Sequence, residues 1–249
     1  MYLRSGRSSD WPVTCAIPGC ARPTMRSSGV GLAEFHCRYH VQFKARHGSH
    51  WCPTYRAADL QPYLSAAGDW IADNAGDGAT IGALRSLEDL LCYAGRVDPA
   101  MNLRGQPAAQ RARVAFARLR EAGIRPERLL AIWLGVSALI EDDRGSHRVH
   151  EFRIVQAAKA AHRLASGTHR RWDMWQPGGG TLPIVVHAYP KSSGLVLRRI
   201  GEAMEEACRY VPRTAVAQII NGKTERFGLH PSRLPGWRPA WDTRRRSAG

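Results

Sequence analysis

Four metal-ligating side chains stand in two close pairs near the start of the chain: Cys15-Ala-Ile-Pro-Gly-Cys20, then sixteen residues, then Cys37-Arg-Tyr-His40. Around them, residues 11–52 show little apolar periodicity and cannot supply a core of their own. A segment that short and that poor in core material folds only with a staple. Zinc takes four soft or borderline ligands in a tetrahedron, and two close pairs separated by a longer loop give that set. Pro18-Gly19 has the chemistry of a turn that brings Cys20 back toward Cys15. Four protein ligands leave no position for water, so the expected cofactor is a structural zinc ion held by Cys15, Cys20, Cys37 and His40.

The fourth ligand is open on spacing alone. His36 adjoins Cys37 and is poorly placed for the same ion, while His47, His50 and Cys52 follow closely. The Cys-x2-His pair favours His40 and leaves the other three to pack the module onto what comes next.

The pattern Cys-x4-Cys, Arg22-Pro23, a glycine, then Cys37-Arg-Tyr-His40 and Arg46-His47-Gly48 resembles a zinc-binding module of phage and mobile-element proteins, where it often precedes an HNH-type nuclease domain. The resemblance covers about residues 13–52. It implies the same four ligands and a phage or mobile-element setting. The loop from Met25 to Phe35 is longer than usual for such a module, and no paired-His, Asn-containing nuclease core follows residue 52. The remainder of the chain resembles only uncharacterised bacterial proteins.

Apolar periodicity places helices over the rest and predicts a mainly α fold with a minor β element. A flexible start (1–10) and the module (11–52) precede a linker (53–62) bounded by Pro53 and Pro62, a helical domain (63–227) and a basic, mobile tail (228–249) with Trp237, Trp241 and Arg244 to Arg246. Asp59 caps a first helix with Tyr63, Leu64, Ala67, Trp70 and Ile71 on one stripe. Further helices are expected near 80–93, 108–122, 126–140, 151–165 and from Ser193 to Pro212. A short one over 213–220 should end at Asn221-Gly222. Leu182 to Tyr189 reads as a strand whose partner the sequence does not reveal. Cys92 and Cys208 read as core residues. The helices on either side of Gly123 mimic a helix-turn-helix, but Leu129-Leu130-Ala-Ile-Trp-Leu is too apolar to present side chains to base edges.

The longest apolar run, Leu129 to Ile140, is shorter than the about 18–20 residues a membrane span needs. The first residues lack a signal-peptide core. A cytoplasmic setting is therefore expected, with the six cysteines reduced.

Charge points to a partner. The net charge is +15, unevenly spread: residues 1–60 hold 8 Lys+Arg against 3 Asp+Glu, 61–103 hold 2 against 6, and 104–249 hold 26 against 12. Such a field attracts polyanions, nucleic acid first. The residues expected to contact it are Arg111, Arg113, Arg118 and Arg120 on one helix, Arg153, Lys159 and Arg163 on another, and Arg170, Arg171 and Trp172 in a run that also holds His169 and Trp175. Guanidinium groups suit phosphate, and flat rings suit unpaired bases. The competing reading of Trp172 and Trp175 is that they anchor a loop on the core. The sequence shows no phosphate-binding glycine loop and no nucleophile elbow. Glu141-Asp142-Asp143 with His147, His150 and Glu151 leaves a metal-dependent nuclease as an alternative, and a protein-binding adaptor as another.

Overall fold

The computed structural model describes residues 14–24, 34–165, 168–188 and 193–238, with all their side chains except those of 101, 168–171 and 186–188. Helices α1 (Arg38–His47), α2 (Ala57–Asp73), α3 (Gly78–Cys92), α4 (Ala108–Glu121), α5 (Pro126–Asp142) and α6 (His150–His162) precede a hairpin of β1 (Thr168–Trp175) and β2 (Thr181–Ala188). Helices α7 (Gly194–Ala207) and α8 (Thr214–Phe227) follow. The fold is mainly α with a minor β element, as the periodicity predicts.

Helix α5 is the axis of the body. Pro126 fits its first turn, where no intrahelical N–H partner is needed, and every residue from Leu129 to Ile140 is buried. A helix apolar on all sides must be enclosed, and α2, α3, α6 and α8 pack around it. This enclosure rules out a recognition-helix role for α5. Helix α2 turns Leu60, Tyr63, Leu64, Ala67, Trp70 and Ile71 inward. Asp59 closes its start from the third helical position, accepting a hydrogen bond from the Arg56 backbone N–H at 3.1 Å. Helix α3 is capped by Asp77, whose carboxylate accepts from the Ala79 and Thr80 amides.

The structure corrects several sequence expectations. Pro62 lies inside α2, which starts at Ala57, so the connecting segment is shorter than 53–62. Helix α8 runs through Asn221-Gly222 to Phe227. Past that pair, buried Lys223 bonds Asp142 and Arg226 bonds Asp69, and these tertiary anchors override a weak local stop signal. Cys208 is buried, but Cys92, the last residue of α3, is exposed while its neighbour Leu91 is buried. Residues 228–238 contact the body through Ser232 and Arg233. Ser232 is buried and its Oγ accepts from the Arg144 amide at 2.9 Å, while Arg233 Nε donates to the Asp142 carbonyl at 2.9 Å. Trp241 and Arg244 to Arg246 lie outside the described residues.

The missing strand partner is β1, His-Arg-Arg-Trp-Asp-Met-Trp after Thr168, which lacks the apolar alternation that marks a half-buried strand. It pairs antiparallel with β2 in the register Trp172↔Ile184 and Met174↔Leu182. Among the described residues no helix is long and apolar enough to cross a membrane.

Candidate metal centre

Two short elements build the Cys/His cluster. Residues 14–23 form a knuckle. Thr14 bridges Pro23, Cys15 N donates to Arg22 O at 2.9 Å, and Cys20 N donates to Ile17 O at 3.0 Å. Pro18 and Gly19 occupy the corners of that last turn. Gly19 has φ 78°, the left-handed value that a type II turn requires at its third residue. The second element is the start of α1. Cys37 is its N-cap residue and His40 lies one turn in, so the Cys-x2-His spacing puts both side chains on the same end of the helix.

These elements bring together Cys15, Cys20, Cys37 and His40, whose ligand atoms all lie within 4.8 Å of one another. Cys15 Sγ is 3.2 Å and Cys37 Sγ 3.5 Å from His40 Nδ1, and Cys20 Sγ is 3.9 Å from Cys37 Sγ. No other such group occurs among the described residues. The set can hold a metal ion. Burial, with the nearby charges of His36 and Arg22, lowers the His40 pKa and keeps a lone pair available for a cation. Burial opposes ionisation of Cys37, but the His40 backbone N–H, the neighbouring Cys15 and Cys20 side chains and the Tyr39 backbone N–H together outweigh it and lower its pKa.

The residues just behind the cluster seat it on the body. Gly48 ends α1 in the left-handed conformation, and a Cβ there would stand 2.5 Å from the Glu151 carbonyl, so α1 meets α6 through a glycine. His47 Nδ1 accepts from the Thr54 amide at 3.2 Å, and Gln156 Nε2 donates to the His47 carbonyl at 3.0 Å. Burial beside Lys159 and Arg46 pushes His47 down to about 4, so it serves as a neutral acceptor. His50 is buried and stacked on His36, with ring centres 3.7 Å apart, and Cys52 joins the core of the body. Lys44 pairs with Glu151 at 3.0 Å, and Glu151 also pairs with Arg198. Packing, not ligation, is what His47, His50 and Cys52 do.

The residues expected to contact nucleic acid divide sharply. Arg118 is buried and donates to the Asp98 carbonyl at 2.8 Å. Arg120 donates to the Leu91, Cys92 and Gly95 carbonyls, closing the C-terminal end of α3. Both spend guanidinium hydrogen bonds on backbone carbonyls, a destination that amphipathic periodicity cannot distinguish from a solvated arginine. Lys159 is likewise turned inward, donating to Thr54 Oγ1 at 2.7 Å, and burial pushes it down to about 8. Arg153 pairs with Glu141 at 3.0 Å. Arg113 and Arg163 are exposed, and Arg111 is partly so. Arg170 and Arg171 lie in β1, with their side chains outside the described set, while Trp172 and Trp175 are exposed, at 47% and 67%. The anchoring role for these two tryptophans is therefore overturned.

The acidic cluster is a structural hub. Asp142 is buried and accepts from the Tyr63 hydroxyl at 2.6 Å, Lys223 Nζ at 3.3 Å and Arg233 Nε at 3.1 Å. Asp143 accepts from the Tyr55 hydroxyl and the Gly145 amide. His147 Nδ1 lies 3.0 Å from Ser49 Oγ, and His150 pairs with Glu205. Every member of the cluster has a protein partner, and the ligand atoms do not converge on a metal position. Asp142, Asp143 and His147 therefore do not form a metal-ligating group in this arrangement. Comparison of the chain with protein-family models, curated proteins and solved structures found no match.

Proposed function

We propose that the ion is zinc, that its role is structural, and that the chain is a nucleic-acid-binding protein of phage or mobile-element kind that contacts mainly phosphates. Zinc bonds of about 2.3 Å to sulfur and 2.0–2.1 Å to nitrogen make tetrahedral edges of about 3.8 Å between sulfurs and about 3.5 Å from sulfur to nitrogen. The 3.9 and 3.5 Å separations at Cys37 fit those edges.

The observation that carries the nucleic-acid reading is the cationic excess left after the internal ion pairs are formed. Residues 104–249 hold 26 Lys+Arg against 12 Asp+Glu. The carboxylates of Glu127, Glu141, Asp142, Glu151, Glu202 and Glu206 are all engaged by arginine or lysine. Arg104, Arg113, Arg144 and Arg213 are exposed and pair with no carboxylate among the described residues. Phosphate contacts set affinity without reading sequence. The exposed hairpin adds Trp172 and Trp175 as stacking surfaces for unpaired bases.

Binding to single- and double-stranded DNA and RNA across a salt series tests this. With about five phosphate contacts, log affinity falls against log salt with a slope of roughly −4.5 for duplex and −3.5 for single strands. The second reading, a protein-binding adaptor, draws on one observation: Trp172, Met174 and Leu182 form an exposed apolar face on the hairpin. No binding to any nucleic acid at low salt moves that reading to first place.

A further inference from the structure

A cavity of about 390 Å³ opens beside the metal knuckle, outside every site discussed so far. Its walls include Ile17 and Pro18 from the knuckle, His36, Trp51, and Arg144 and Ser146 from the loop after α5. The volume lies in the range of small-molecule sites.

Its walls are built rather than incidental. The cavity presents two flat rings, each backed by a second ring. His36 stacks on buried His50 at 3.7 Å, and Trp51 lies against His147 at 4.0 Å. Both backing rings are fixed. His50 is 8% exposed, and His147 is tied to Ser49, which is fully buried and whose Oγ also accepts from the Trp51 and Cys52 amides. The loop carrying Arg144 is held at three points. Its amide donates to Ser232, the Gly145 amide donates to Asp143, and a Cβ on Gly145 would stand 2.9 Å from the Trp237 ring. The backbone that carries Arg144 is therefore held beside the cavity, which Arg144 lines. Arg144 is exposed, and among the described residues it has no carboxylate partner and no acidic side chain lines the cavity.

Rigid ring faces beside one unpaired guanidinium, with no competing carboxylate, select a planar ligand that carries an anion. We infer that this cavity is a nucleotide subsite: an unpaired base stacks on Trp51 and its phosphate pairs with Arg144. The inference rests on the nucleic-acid reading and deepens it. The nucleotide reaches the site either free or as the unpaired end of a strand.

Calorimetric titration of the metal-loaded protein with adenosine and uridine 5′-monophosphates tests it, since eight tryptophans preclude a clean fluorescence signal. Trp51→Leu keeps the apolar bulk and should weaken mononucleotide binding about 5- to 150-fold, the range for loss of one stacked base. Arg144→Gln should weaken the monophosphates while leaving the weaker binding of the bare nucleosides unchanged. Metal content and melting temperature of each variant check that the walls remain. If Trp51→Leu loses its metal, the Arg144→Gln contrast between nucleotide and nucleoside carries the test alone. A second arm compares a blunt duplex with one bearing a single-stranded overhang. Preference of the wild type for the overhang, lost in Trp51→Leu, assigns the strand end as the source. Mononucleotide binding without strand binding assigns the free nucleotide. No saturation by millimolar mononucleotide, or equal binding by wild type and both variants, overturns the subsite. Retention of salt-dependent duplex binding in that case leaves the broader reading standing, whereas loss of all nucleic-acid binding removes the broader reading.

Discussion

None of the ten residues of α1 is buried, whereas α5 buries every residue from Leu129 to Ile140. The two helices belong to regions held by different means. In the N-terminal region the side chains that converge are thiols and an imidazole, and α1 gains its place from Cys37 and His40 at one end and Gly48 at the other. In the body, Tyr63, Phe152, Leu87, Ile200 and Met204 fill a continuous apolar interior. A hydrophobic core distributes its stability over many contacts, whereas a metal centre concentrates it in four ligands. Loss of one ligand should therefore be far more damaging to the first region than loss of one methylene is to the second.

The largest expected effect is that of metal removal. Structural zinc of this kind contributes about 10–16 kcal/mol of apparent binding free energy at neutral pH, coupled to folding. Elemental analysis should find one zinc per chain. Cys37→Ala or chelation should abolish it and unfold the 14–23 knuckle and α1, while the far-UV helical signal of α2 to α8 remains. Cooperative loss of all helicity on chelation would break the comparison, since it would make the body depend on the module.

The body has its own concentrated point, and the next prediction probes it. Burial works against ionisation of Asp142, but the Tyr63 hydroxyl, Lys223 and Arg233 outweigh it and hold its pKa below the ordinary value of 3.8. A carboxyl depressed in the folded state contributes stability that is complete above 3.8 and is lost as pH falls through the lower folded value. Asp142→Asn leaves Lys223 buried without its counter-charge and should cost about 3–5 kcal/mol in chemical denaturation. The acid limb of the stability curve should flatten in the same variant. An unchanged denaturation midpoint would show that the Gly228 carbonyl, which accepts from Lys223 Nζ at 2.9 Å, and the Tyr63 ring, whose centre lies 4.9 Å from that nitrogen, suffice to hold Lys223.

The smallest effects separate structural cations from binding ones. Arg118→Ala removes a buried donor from the Asp98 carbonyl and should cost about 1–3 kcal/mol of stability. Arg113→Glu and Trp172→Ala, both on exposed side chains, should change stability by no more than about 0.5 kcal/mol. Arg113→Glu should weaken all nucleic-acid sequences alike, and Trp172→Ala should weaken single strands more than duplex. Melting curves and salt titrations of the three variants check the division. A destabilised Trp172→Ala would mean that the hairpin ring has a packing partner.

The four ligands were legible because metal chemistry is written in residue type and spacing, and both are local. The mainly α fold and the apolar stripes of α2 and α7 were legible for a similar reason, since a 3.6-residue period survives in the text, and α5 showed as a continuous apolar run. What the text did not carry was the destination of long polar side chains. Arg113 and Arg118 stand on the same helix with the same chemistry, and only the position of the Asp98 carbonyl makes one of them structural. The strand partner of β2 was hidden because Trp172, Asp173, Met174 and Trp175 are all exposed, so that stretch has no apolar alternation to read. The docking of residues 228–238 depends on Asp142 and the Arg144 amide, which lie about ninety positions earlier in the chain. Local geometry and period are properties of neighbouring residues, so the sequence determined the four residues that can hold a metal ion and most of the helices. The pairing of charges, the burial of arginines and the cavity beside the knuckle are properties of residues distant in sequence, so only the tertiary structure decided them.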